Sequence, residues 1–127
     1  MKNRVIQLIV ALPAALFIAT GLRWLITPTL VAPEFGLEAG AGLGLSTQVG
    51  DLSAFFLTLG GSIVVALVSG QQRWYYPAIA LLLMAALGRT IAWLFHDAVL
   101  TPFIGLELAV AALLWWASRR NTGSVSQ

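Results

Sequence analysis

Two ionisable residues sit inside long apolar stretches: Arg89 within residues 74–95 and Glu107 within residues 98–117. A charge at the centre of a bilayer costs about 2.5–3.5 kcal/mol on insertion scales, so it persists where a partner or a polar cavity compensates it. A helical hairpin turning near His96, Asp97 and Ala98 would join the two stretches. At about 1.5 Å per residue, Arg89 then lies about 12 Å before Asp97 and Glu107 about 15 Å after it. The matched depth predicts an Arg89–Glu107 ion pair facing the interior, since either charge alone would be uncompensated.

Three further groups belong to the same candidate network. Arg89, Trp93 and His96 are spaced four and three apart, which puts His96 on the face of Arg89 but nearer the helix end. Arg23 ends the first apolar run and Asp51 opens the second. Arg23, Asp51, Arg89, His96 and Glu107 are expected to converge on one half of the molecule. They would line a small pocket for a ligand or proton, or form a charge network that fixes helix register. His96 suits proton relay because its charge changes near neutral pH. Catalysis is the least supported use of these residues, and no cofactor is implied. One histidine cannot supply a zinc site or bis-histidine haem ligation, and neither a phosphate loop nor a specific Ser-His-Asp spacing is present.

The elements that position these groups follow from composition. Of 127 residues, 59% are hydrophobic and 9% charged, too apolar for an ordinary soluble domain. A spanning helix needs about 20 mainly apolar residues. Four runs qualify, at about 5–26, 52–68, 74–95 and 98–117, with a loop over 27–50. The reading is an all-α, polytopic membrane four-helix bundle forming a single domain over 1–127.

Lys2, Arg4, Arg73, Arg119 and Arg120 fall on one face when the spans alternate, whereas Glu34, Glu38, Asp51 and Asp97 fall on the other. The positive-inside rule makes both ends cytoplasmic. A pI of 9.7 with a net charge of only +2 and no basic stripe argues against nucleic acid as a partner. The apolar run after Lys2 and Arg4 exceeds the 7–15 residues of a signal-peptide core, so a retained first span is expected. With no cysteine, thiol chemistry is excluded.

Local features refine the bundle. Pro13 removes a backbone donor inside the first span, and Ala11, Ala15 and Ala19 form a small-residue stripe suited to bundle packing or to a homodimer face. The segment 27–50 carries Gly36, Gly40, Gly42, Gly44 and Gly50 and is read as a long connection, either a lid over the pocket or a passive extracytoplasmic loop. Ligands would enter from that side. Asp51 is placed to cap the second span. Trp74, Tyr75, Tyr76, Trp115 and Trp116 mark one membrane interface, and Trp24 and Trp93 lie toward the other.

Gly21-Leu22-Arg23-Trp24, the block STQVGDLSAFFLTLGG from Ser46 to Gly61, Gly88-Arg89 and the acid Glu107 resemble an uncharacterised bacterial membrane family, domain of unknown function 4345. That family is similar in topology to the DoxX-like group of small four-helix membrane proteins. The resemblance covers nearly the whole chain and implies a bacterial inner-membrane, multi-pass protein. Some DoxX-like members are associated with quinone-linked or thiol-linked redox complexes, so an accessory role in a membrane complex is also implied. The expected function is binding or passing a quinone, a lipid or a proton-coupled solute. The alternative is a structural subunit of a larger membrane complex or a homo-oligomer.

Overall fold

A computed structural model describes residues 2–125, with side chains over 4–120; Met1, the Lys2 side chain and Gln127 lie outside the described residues. Four long helices account for most of the chain: α1 (Lys2–Ile26), α3 (Leu43–Ser69), α4 (Tyr75–Phe95) and α5 (Phe103–Val125), with a single-turn α2 (Pro28–Val31) after α1. Two 3-10 turns, Ala32–Phe35 and Gln72–Trp74, complete the elements, and no strand occurs among the described residues. Three segments, Arg4–Ile26, Leu43–Ser69 and Gln72–Phe95, are long and apolar enough to cross a membrane. The side chains described in α5 include Glu107 and the pair Arg119 and Arg120, which lower its apolar character relative to the other three.

Helix α1 packs chiefly on α3 and α4 chiefly on α5, while α3–α4 and α1–α5 contacts close the ring more loosely. The α1–α3 seam is tight because Gly60 has no side chain. A Cβ there would lie 2.6 Å from Ile18 Cγ1 and 2.9 Å from the Ala14 carbonyl oxygen. Close approach therefore runs through Ala14, Ile18 and Gly60. The predicted Ala11, Ala15 and Ala19 stripe does not make this seam, for Ala15 and Ala19 are exposed. Ala15 follows the buried Ala14 by one residue and is therefore turned about 100° off the packed face.

Each long helix supplies a repeating inward stripe to one core: Ile6, Val10 and Ala14; Leu59, Ile63 and Ala66; Tyr75, Ala78 and Leu82; Ala111, Leu114 and Ala117. The three- and four-residue steps are those of a single helix face. This dry core fills the half of the molecule nearest the Gln72–Trp74 turn. Ser62 donates to the Trp74 carbonyl there and ties α3 to that turn. The basic residues gather at the same end, Arg119 lying 5.5 Å from the Trp115 ring and Arg120 5.7 Å from the Trp116 ring.

The opposite end departs from expectation. The segment 27–50 is not one long loop: it holds α2 and the Ala32–Phe35 turn, and α3 begins at Leu43, eight residues before Asp51. Asp51 is consequently no cap but an exposed side chain inside α3. Gly36, at φ 73°, takes the left-handed conformation that ends the 3-10 turn, and its N–H donates to the Pro33 carbonyl at 3.0 Å. The following stretch is pinned to α3 by Gln48, whose amide oxygen accepts from Gly40 N–H at 3.0 Å and whose amide nitrogen donates to the Glu38 carbonyl at 2.9 Å. The last helix likewise starts at Phe103, five residues later than the expected 98, because Pro102 suits a helix start and Asp97 takes a left-handed φ of 59° after α4.

Candidate functional site

Glu107 belongs to the inward stripe of α5, one turn before Ala111, and Arg89 follows the inward Leu82 and Ala86 on α4. Helix phase thus turns both charges toward the interior. Arg89 Nε donates to Glu107 Oε2 at 3.1 Å, so the expected pair forms. Glu107 retains only 9% of its accessible surface. Its other oxygen, Oε1, is buried and has no hydrogen-bond partner among the described residues. The guanidinium carbon of Arg89 stands 5.0 Å from the centre of the Phe103 ring, a cation–π arrangement.

The pair forms part of the wall of a cavity of about 320 Å³. Apart from Arg89, Glu107 and Thr20, the wall is apolar and includes five phenylalanines, Phe17, Phe35, Phe55, Phe56 and Phe103. Such a largely apolar recess with a few convergent polar groups has the character of a small-molecule site, at the small end of the usual range. Pro13 also lines it, at the point where α1 lacks a backbone donor. The exposed members of the wall are Leu16 on α1 and Leu106 on α5. The cavity therefore opens sideways, along the loosely packed α1–α5 seam.

Phe35 closes the end of the cavity away from the dry core. Its ring stacks with Phe103 at 6.0 Å between centroids and leans on Phe56 at 5.4 Å and Trp24 at 5.8 Å. Trp24 is fully buried in a second apolar cluster with Val31 and Ala32, which corrects its reading as an interfacial anchor. The neighbouring Glu34 forms a two-pronged ion pair with Arg23: Nη1 donates to Oε1 at 3.0 Å, and Nη2 donates to Oε2. Both side chains are about half exposed. The Arg23 hydrogen bond holds the Glu34 carboxyl below the usual carboxylate range, against an opposing desolvation effect and with a lesser contribution from the Arg23 charge.

Of the five residues expected to converge, Arg89 and Glu107 come together on the cavity wall. Arg23, Asp51 and His96 do not line it. Arg23 reaches outward to Glu34, Asp51 is exposed on α3, and His96 is exposed where α4 ends. The α1 and α3 helices turn Arg23 and Asp51 away from the interior, and His96 lies about two turns beyond Arg89, where α4 ends. The Gly-rich stretch does not cover the cavity either; within 27–50 only Phe35 lines it. The aromatic wall went unread in the sequence, although Phe17, Phe55 and Phe56 lie in the apolar runs as core candidates. No cluster of potential metal ligands occurs among the described residues. Comparison of the chain with protein-family models, curated proteins and solved structures yields no match.

Proposed function

We propose that this chain is a four-span bacterial inner-membrane protein, both ends cytoplasmic, that binds or passes a small molecule through the cavity walled by Arg89 and Glu107. The resemblance to domain of unknown function 4345 and to the DoxX-like group is part of this proposal. Three apolar helices support membrane residence, and the cluster of arginines at one end supports the orientation. The observation that carries the binding role is a nearly buried carboxylate with spare acceptor capacity in the wall of an otherwise apolar cavity. A pair serving only to fix helix register has no need of such a recess. The sideways opening gives access from the bilayer, in place of the extracytoplasmic entry expected from the loop. That route suits a quinone, a lipid fragment or another membrane-soluble molecule, with proton coupling a further use of the carboxylate.

The test is retention of small apolar molecules by protein purified in native-lipid discs, measured by mass spectrometry. Val110→Phe fills the cavity from the α5 side and should abolish retention while leaving helix content unchanged. Equal retention by Val110→Phe would remove the cavity from consideration. Arg23, Asp51 and His96 are not assigned to the binding site.

A further inference from the structure

We infer that the cavity selects an uncharged, ring-sized molecule bearing a hydroxyl group that donates to Glu107; this rests on the reading of the cavity as a ligand site. Size comes first. At about 30 Å³ per water-sized group, a volume of about 320 Å³ holds about ten non-hydrogen atoms, a substituted ring and not a whole lipid. Shape agrees, because phenylalanines on the α1, α3 and α5 walls and the Phe35 end plug offer edges and faces to an aromatic or saturated ring.

Charge excludes ions. Arg89 and Glu107 neutralise each other at 3.1 Å, so an added cation meets Arg89 and an added anion meets Glu107 in a medium where repulsion is poorly screened.

Hydrogen-bond polarity then separates the neutral candidates. An ionised carboxylate only accepts, with about four lone-pair sites, and Glu107 receives one side-chain bond, from Arg89. Its terminal torsion is soft and nearly two-fold, so rotation can turn either oxygen toward a donor. A hydroxyl meets that acceptor. A hydrocarbon of the same shape gains nothing from it and leaves the carboxylate unmet. Arg89 retains guanidinium N–H groups beyond the Nε used on Glu107, and these can donate to the same hydroxyl oxygen. The donor–acceptor pair on the wall therefore matches both faculties of one O–H group.

The experiment compares para-trifluoromethyl phenol with para-trifluoromethyl toluene, two probes of equal heavy-atom count, by fluorine NMR on protein in lipid discs. Partitioning is corrected with protein-free discs. The phenol should bind about tenfold to a hundredfold more tightly, the penalty range for an unmet buried polar group. Glu107→Gln should shrink the preference, because the amide presents a donor once its oxygen faces Arg89. The double variant Arg89→Leu with Glu107→Leu, which leaves no lone charge and no partner for the hydroxyl, should lose the preference for the phenol or reverse it in favour of the toluene, and a retained phenol preference would overturn the assignment of the hydroxyl to this pair. Equal binding of the two probes by the wild type, abolished by Val110→Phe, would overturn the hydroxyl selectivity and leave the ligand site standing. No binding of either probe above protein-free discs would overturn the site itself.

Discussion

Arg89→Leu and Glu107→Leu should destabilise unequally, and the inequality follows from what each leaves behind. Loss of Arg89 strands a carboxylate whose side chain is 11% exposed and whose Oε1 already has no partner among the described residues. Breaking a buried pair in this way costs about 3–5 kcal/mol. Loss of Glu107 leaves a guanidinium that is 36% exposed and still 5.0 Å from the Phe103 ring. Its penalty should be that of an unpaired polar group with partial access to solvent or headgroups, about 1–3 kcal/mol. The double substitution replaces the pair by apolar groups and should cost less than the sum of the singles by about 1–3 kcal/mol. The assay is reversible unfolding in mixed micelles of graded denaturing detergent, followed by tryptophan emission for all four proteins. Single effects that add to within about 0.5 kcal/mol, or a Glu107→Leu variant weaker than Arg89→Leu, would refute the pairing energetics.

Three more outcomes follow from the same geometry. Reporter domains fused after Gln127 and inserted between Gly40 and Gly42 should report opposite compartments; a shared compartment would break the four-span topology. Gly60→Ala should lower stability by about 1–3 kcal/mol as an overpacking defect, because its Cβ meets the Ala14 carbonyl oxygen at 2.9 Å as well as Ile18. Gly21→Ala meets mainly the Leu57 side chain and should cost less in the same detergent titration, with the reverse order contradicting the seam. The Glu34 carboxyl is held low by Arg23, so its contribution is present above the ordinary carboxylate range and is lost as pH falls through the lowered value. Glu34→Gln should flatten the acid limb of the stability profile relative to wild type, and superimposable limbs would show that this contact does not couple to folding.

The apolar runs and turns made the helical character readable, and the Arg89–Glu107 pair was readable too, because residue counting from a hairpin turn gives depth directly. The segment 27–50 was harder. Its glycines looked like loop residues, yet Leu43 to Gly50 joins α3 and Gln48 secures the stretch before it by two side-chain bonds. Glycine lowers helix propensity by roughly 1 kcal/mol, which a long helix packed against a neighbour absorbs. The Arg23–Glu34 contact escaped notice for a related reason: with a long loop assumed, nothing placed Glu34 within reach of α1, whereas α2 and the 3-10 turn fold back and bring it there.

Depth alone did not decide which charges meet, because a helix also assigns each residue an angle. Glu107, Ala111 and Leu114 advance by four and three residues and stay on one face, so the burial of Ala111 and Leu114 carries Glu107 inward with them. Asp51 precedes Leu59 by eight residues, which at 3.6 residues per turn leaves it roughly 80° from that buried position, and it is exposed. Arg23 adjoins the fully buried Trp24 and is therefore turned about 100° away from it, toward Glu34. The polar part of the site consequently contracts from five groups to two, and phenylalanines take the wall positions that the other three were expected to fill. That exchange changes the chemistry: a ring of five titratable groups would suit an ion or a hydrated solute, while one neutralised pair in an aromatic recess suits an uncharged molecule drawn from an apolar phase.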